Sequence, residues 1–384
     1  MKSRIKVAIV TQFPKDASAP HGGVEAVSVN LVRALASCDD LDLHVVTVDS
    51  ACSAITHETW TGVPVHRLPK LRRSELVNAI GAGRRQVATY LSELSPDLVH
   101  AHDTYGLMVK GLPMPRVFTI HGFIYGDTLV SGKNLPWLRS RIWHWFETSC
   151  WADQPHIISI SPYVRERLTG TARGIIHDID NPISETFFDI ARIEKKGVIF
   201  SAAVISPRKN TLILVEAFSR ICAEGINAEL RLAGKVVDEG YGASLINLIR
   251  NRGLENKVTL LGGISGDQVR RELSAASVFA LVSLEENSPM GIEEAMAARV
   301  PVVASNRCGM PYMVRHGETG FLVNPGDPDD IAKWLRHVLA DDEGRHNMGE
   351  KSRAIAFERF HPDVVARKTR EVYYEAMHCR TTHV

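Results

Sequence analysis

An alternation runs along nearly the whole chain and limits what it can become: short β-branched runs separated by segments of helical period. IKVAIVT leads into an amphipathic stretch with Val24, Val27, Leu31 and Leu35 at helical spacing, and then comes LHVVTV. Further strand candidates are VPVHRL, DLVHAH, RVFTIHG, HIISIS and GIIHDI in the first half, and GVIFSA, AELRLAG, KVTLLGG, SVFALVS, VPVVAS and GFLV in the second. Most are apolar on both faces, as strands held between two helix layers must be. The rhythm lapses over 181–196, around Pro182, and restarts at GVIFSA. The expected architecture is α/β, with two Rossmann-like, doubly wound parallel-sheet domains facing a central cleft. Their expected bounds are 1–182 and 196–361, with 183–195 as a linker and 362–384 as a C-terminal helix crossing back towards the first domain.

The length, 384 residues, fits two domains of the usual size, roughly 150 residues each with connections. Lys and Arg number 45 against 44 Asp and Glu, a net charge of +1, which disfavours a protein built to neutralise many nucleic-acid phosphates. The six cysteines contain no C-x-x-C pair, so neither a disulfide framework nor a zinc ribbon is expected, and reduced thiols in the cytoplasm fit. No window reaches the roughly 18 apolar residues of a membrane span. The apolar stretch near the start is interrupted by Lys6 and reads as a first strand, not as a leader.

Parallel sheets bind ligands at the carboxyl ends of their strands, so chemistry is expected in the strand-to-helix loops. The first loop carries Gly22 and Gly23 just before a helix, where backbone N–H groups can approach an anion; it also reads as an ordinary glycine turn. DLVHA ends in His102-Asp103, and RVFTI ends in His121-Gly122, a histidine able to donate or accept a proton near neutral pH. His100 and His102 are expected to face opposite ways and not to share a metal. After GVIFSAAV come Ser206, Pro207, Arg208, Lys209 and Asn210. Two cations at a helix start oppose its dipole, which a bound diphosphate would justify; the loop also reads as a solvated basic turn. The last loop joins SVFALVS to the EAMAARVPVVAS segment through Glu286, Asn287, Ser288, Pro289, Met290 and Gly291, and reaches Glu294 eight positions after Glu286. A carboxylate at each of those two positions can accept bonds from sugar hydroxyls, and the intervening N–H groups can donate to sugar or phosphate oxygens.

These residues, with DLVHAHD, SISPYVRERL, the Asn181-Pro182 hinge, RLAG and GETGFLVNPGD, resemble the retaining glycosyltransferases of family 4 over most of the chain. The resemblance implies the GT-B fold and a nucleotide-sugar used as co-substrate, with no cofactor and no metal. It implies that Glu294 holds the nucleotide ribose and that Glu286 lies by the donor sugar. Lys209, with Arg208, Gly22 and Gly23, would meet the diphosphate, and 287–291 would line the donor. His121 would contact the donor sugar or help the acceptor. Two departures stand out: Val204 occupies a position where such proteins commonly carry an arginine, and Asn287-Ser288-Pro289 replaces the usual Gly-Phe-Gly.

The implied activity is transfer of a hexosyl group from a UDP- or GDP-sugar to a glycan or lipid-linked glycan, in cell-surface polysaccharide synthesis. The alternatives are a non-catalytic sugar-nucleotide-binding homologue and a GT-B epimerase or phosphorylase. Asp178-Ile179-Asp180 spells the Asp-x-Asp of metal-dependent transferases, but it precedes the hinge and not a donor loop. Arg72, Arg73, Arg84 and Arg85, and separately Trp137, Trp143, Trp145 and Trp151, form stretches suited either to anionic headgroups at the inner face of the plasma membrane or to an ordinary helix face and core. No nucleic-acid partner is expected.

Overall fold

A computed structural model describes residues 4–20, 22–72, 74–130 and 135–378. The chain divides into two compact units, one formed by residues up to Pro182 together with the segment from Pro362, the other by Ile183–His361.

The first unit holds eight strands: β1 (Ile5–Val10), β2 (Leu41–Asp49), β3 (Thr56–Trp60), β4 (Val63–Pro69), β5 (Leu98–His102), β6 (Arg116–Ile120), β7 (His156–Ser159) and β8 (Ile175–Asp178). They form one sheet in the order β3-β4-β2-β1-β5-β6-β7-β8. Side chains alternate between faces with a period of two, so Val7 and Ile9 enter one core and Ala8 and Val10 the other. The first core is closed by the helices Gly23–Leu35 and Pro362–His378, the second by helices that include Ala82–Leu94. Asp40 ties the last helix down by accepting from Arg370 Nη2 at 2.7 Å.

One strand has no counterpart in the expected pattern. THETW forms β3, which pairs antiparallel with β4 at the sheet edge across Thr61 and Gly62, both at positive φ. Its side chains are mostly exposed, so it lacks the apolar signature of the buried parallel strands. A two-residue turn with both φ positive matches the twist of a hairpin, which is how a short polar edge strand is held.

The second unit holds β9 (Val198–Ala202), β10 (Glu229–Ala233), β11 (Val258–Gly262), β12 (Val278–Leu281), β13 (Val302–Ser305) and β14 (Gly320–Val323), all parallel, in the order β11-β10-β9-β12-β13-β14. Chain direction across the sheet reverses between β9 and β12, which makes their carboxyl ends the switch point where such sheets bind ligands. The stretch 183–195, expected as a linker, is not free chain. Ile183, Phe187, Phe188 and Ile190 are buried in the core of the second unit beside Phe200 and Phe279. The mixed polar and aromatic composition that suggested a linker belongs to an irregular segment whose aromatic half is packed.

Candidate active site

The loops after β9 and β12 meet at the switch point. Residues Pro207–Lys209 make one 3-10 turn, and Asn210 follows with φ 58° in the left-handed region before the helix Thr211–Ala223. An asparagine tolerates that conformation, and its amide is used twice: Nδ2 donates to Val282 O at 3.1 Å and to Pro325 O at 2.7 Å. The Leu284 N–H donates to Arg208 O at 2.8 Å, and Arg208 Nη1 donates to Glu285 O at 2.7 Å. The basic turn is thereby stapled to the loop carrying Glu286.

Lys209 Nζ donates to Glu286 Oε1, and Arg208 Nη1 lies 3.4 Å from Oε2. Glu286 is only 8% exposed. Burial alone would push its carboxyl up, but Lys209 and Arg208 outweigh it and hold the group below the usual carboxylate range. Two cations thus converge on the one buried carboxylate of Glu286, where the two loops meet.

The Glu286 loop is fixed from its other side by close backbone approach. The Gly309 N–H donates to Glu286 O at 2.8 Å, and a Cβ at Gly309 would lie 1.7 Å from Asn287 O. The atoms that the Cβ would meet all belong to the backbone of Glu286 and Asn287, so relief requires the loop to move. Gly309→Ala is expected to cost about 1–3 kcal/mol or more and to displace Glu286. Thermal melts read the first effect and nucleotide titration the second; a variant with wild-type melting and binding would contradict this account.

Glu294 sits half-buried on the helix Met290–Ala297, whose neighbours Ile292, Ala295 and Met296 belong to the core. Desolvation pushes its carboxyl up to about 8, and the charge of Arg270 offsets only part of that. A carboxyl so placed is held ready for a polar partner. Its neighbour Glu293, fully buried, accepts from Ser288 Oγ at 2.7 Å, which fixes the turn between the two glutamates. The helix start is pressed on the sheet: a Cβ at Gly291 would lie 3.0 Å from Phe279 Cζ and 3.4 Å from Ala202 O, at the end of β9.

In the first unit, His121 follows β6 and is held on three sides. Its N–H donates to Asp103 Oδ1 at 2.8 Å, Nδ1 lies 3.0 Å from Asn181 Oδ1, and Nε2 lies 2.9 Å from His102 Nδ1. Burial lowers the proton affinity of His121, with Asp103 and Asn181 partly restoring it. His100 and His102 do not face opposite ways. Residues two apart on a strand share a face, and their ring centroids lie 4.5 Å apart. His100 bridges Tyr373 OH at 2.7 Å and Thr119 Oγ1 at 2.7 Å, a structural position on the helix-covered face. Gly22 precedes the helix Gly23–Leu35 in extended conformation, and a Cβ there would meet nothing within 4 Å.

The structure therefore brings Arg208, Lys209 and Glu286 together, with 287–291 and Glu294 continuing from the same loop, and places His121, Gly22 and Gly23 in the other unit. A model described as Glycosyltransferase Family 4 matches residues 21–186, and one described as Glycosyl transferases group 1 matches residues 183–355. The chain belongs to glycosyltransferase family 4. The uncharacterised glycosyltransferase of Methanocaldococcus jannaschii is 24% identical to it over 364 residues, 92% of this chain and 95% of that protein. The N-acetyl-alpha-D-glucosaminyl L-malate synthase of Bacillus anthracis is 30% identical over 184 residues, 48% of this chain but only 47% of that protein. Among solved structures, sucrose-phosphate synthase from Thermosynechococcus elongatus superposes with a TM-score of 0.83 at 20% identity, covering 98% of this chain and 100% of that one. Anabaena HepE in complex with UDP-glucose superposes at 0.73 and 17% identity, covering 97% and 100%. The fold of this glycosyltransferase is GT-B.

Reading the sequence missed Arg270, whose charge bears on Glu294 from the helix Gly266–Ala275, and Glu293, hidden beside the glutamate that drew attention. It also missed Asp103 as the group that orients the His121 backbone. Asp178 is engaged by Arg165 Nε at 2.7 Å. Trp151 is buried and Trp143 lines a cavity with Asp103 and Glu147, whereas Trp137 and Trp145 are 58% and 64% exposed. Arg73 lies outside the described residues. No helix among the described residues is long and apolar enough to cross a membrane.

Proposed function

We propose that this glycosyltransferase moves a hexosyl group from a UDP- or GDP-sugar to a glycan or lipid-linked glycan, with retention of anomeric configuration and without a metal ion, in the synthesis of a cell-surface polysaccharide. The observation that carries the reading is the pairing of Arg208 and Lys209 with the buried Glu286 at the β9/β12 switch point. On this reading a diphosphate draws on the two cations, and Glu286 is turned towards the donor sugar. Glu294 accepts from the ribose hydroxyls, and 287–291 line the donor. The anomeric carbon–phosphate oxygen bond breaks, the acceptor oxygen bonds on the same face, and the acceptor proton passes to the departing phosphate oxygen. Lys209 and Arg208 stabilise the charge that develops on the leaving group, aided by N–H groups at Gly22 and Gly23. His121, oriented by Asp103 and Asn181, contacts the donor sugar or the acceptor.

Relatives support the donor class. One is the MMP alpha-(1->4)-mannosyltransferase of Mycolicibacterium hassiacum, 27% identical over 335 residues, and the Anabaena neighbour was crystallised with UDP-glucose. The exposed Trp137 and Trp145, with Arg139 and Arg141 on the same helix, suit a peripheral contact at the cytoplasmic membrane face that would present a lipid-linked acceptor. A second reading rests on Val204: an exposed, uncharged residue stands where an arginine is common in the family, as in a homologue that binds sugar nucleotides without turning them over.

Calorimetric titration with UDP, GDP and ADP, without added metal, tests the donor site. One nucleotide is expected to bind, and Glu294→Ala to weaken it by about 1–3 kcal/mol. Binding of none, or equal binding by the variant, would overturn the assignment, while binding with no turnover of any matching nucleotide-sugar would favour the second reading.

A further inference from the structure

Away from the donor loops, three side chains from distant parts of the sequence converge at the β8 edge of the first sheet. β7 and β8 are parallel, with Ile158 opposite His177. His156, two residues before Ile158, therefore shares a face with His177. That face is the one covered by the helix Pro362–His378, since Ile158 and Ile179 pack with Val365, Val372 and Tyr373. Glu375, three residues after Val372, extends from the helix to the same place. His156 Nδ1 lies 3.1 Å from His177 Nε2, and His177 Nδ1 lies 3.9 Å from Glu375 Oε2. One ligand atom from each of the three residues lies within 4.8 Å of the others.

We infer that His156, His177 and Glu375 form a site for a divalent transition-metal ion of the zinc class, which fastens the last helix to the sheet edge. Two nitrogens bound at about 2.0–2.1 Å to one tetrahedral ion stand roughly 3.3 Å apart, close to the separation seen here. Two imidazoles and a carboxylate are a donor set for zinc and its neighbours, not for magnesium or calcium, which take oxygen ligands. Arg165, a cation beside β8, is committed to Asp178 Oδ1 at 2.7 Å and Ile176 O at 2.8 Å. Glu375 is 47% exposed in its side chain, which leaves an entry path and room for water as a fourth ligand. The site is structural: it belongs to the helix-covered face, and no step of sugar transfer passes through it.

The test uses the full chain, stripped with a chelator, and zinc chloride alone. Calorimetry at pH 7.5 is expected to show one equivalent bound at micromolar concentration or tighter, with a rise in melting temperature. His177→Gln is expected to abolish that equivalent and Glu375→Gln to weaken it at least about tenfold. His57→Gln, which alters a different histidine cluster through His66, is expected to leave it intact. Cobalt in place of zinc should give the visible bands of a tetrahedral ion in the wild type and lose them in His177→Gln. Matching melting temperatures of the metal-free chains show that the variants are folded. Should either partly exposed ligand variant misfold, the other decides. The inference fails if zinc binds only at millimolar concentration, as an adventitious ion only, if the equivalent survives His177→Gln, or if His57→Gln removes it as well.

Discussion

Lys209→Ala is expected to produce the largest loss, in stability and in transfer together. The substitution leaves Glu286 buried with only Arg208, 3.4 Å away, as a charged partner. Removing one partner of a buried pair costs far more than the pair contributes, because the remaining charge is desolvated; about 3 kcal/mol is the expected scale. The pH dependence gives a second signature. The Glu286 carboxyl of the folded wild type lies below its unfolded value, so its stabilising effect is complete above the unfolded value and is lost as the pH falls through the folded one. Without Lys209 the burial effect is less opposed and the folded value rises towards or past the unfolded one, so the acid-side loss of stability seen in the wild type shrinks or reverses. Melts of wild type and variant between pH 7.5 and pH 4 measure both effects. If Lys209 also stabilises the leaving diphosphate, turnover of a nucleotide-sugar should fall about 10²–10³-fold. A variant that melts like the wild type across that range would show that the pair does not hold the loop.

Glu294→Gln is expected to separate stability from binding. The Glu294 carboxyl of the folded chain is raised to about 8, so the folded state retains a proton that the unfolded chain has released. Stability linked to this group is fully present below the unfolded value, near 4.5, and declines as the pH rises through about 8. Glutamine carries no such linkage. The unliganded variant should therefore be less stable than the wild type by little at pH 5 and more stable than it at pH 8.5, by roughly 1–2 kcal/mol after allowance for partial exposure. The same variant should bind the nucleotide more weakly, since an amide replaces a carboxylate as acceptor for the ribose diol. Stabilisation that grows with pH, combined with weakened binding, is expected only if this acid is kept desolvated for a ligand. Parallel pH dependence in the two proteins would refute that.

Much of the fold could be read because most buried parallel strands are apolar on both faces, and thirteen strand candidates follow one another along the chain. β3 could not, because an exposed edge strand held by a hairpin turn needs no apolar residues. The segment 183–195 misled for a related reason: irregular backbone has no period, so Phe187 and Phe188 gave no sign that they were packed. In the site, Arg208 and Lys209 stood out because two cations at a helix start oppose its dipole, and Glu286 because it stands in a strand-to-helix loop eight positions before Glu294. Arg270 did not, since it is one of several charges on an amphipathic helix and its position beside Glu294 arises from packing between helices. His156, His177 and Glu375 have no motif spacing at all; only the register of β7 with β8 and the return of the last helix bring them together.

That return has a consequence for synthesis. All eight strands of the first sheet have been translated by residue 178, but the second helix that closes one face begins at Pro362. The whole of Ile183–His361 must be translated in between. At about 5–20 residues per second the interval is roughly 10–40 s, during which Ile9, Leu43, Val117 and Ile158 have only part of their covering. The second unit can meanwhile fold without waiting, because its two ends meet at Ile183 N–H and Phe360 O, 3.1 Å apart. The nascent chain is thus exposed to aggregation mainly through its earlier half, and premature termination between residues 178 and 362 leaves one face of the sheet only partly covered for chaperones and proteases to find.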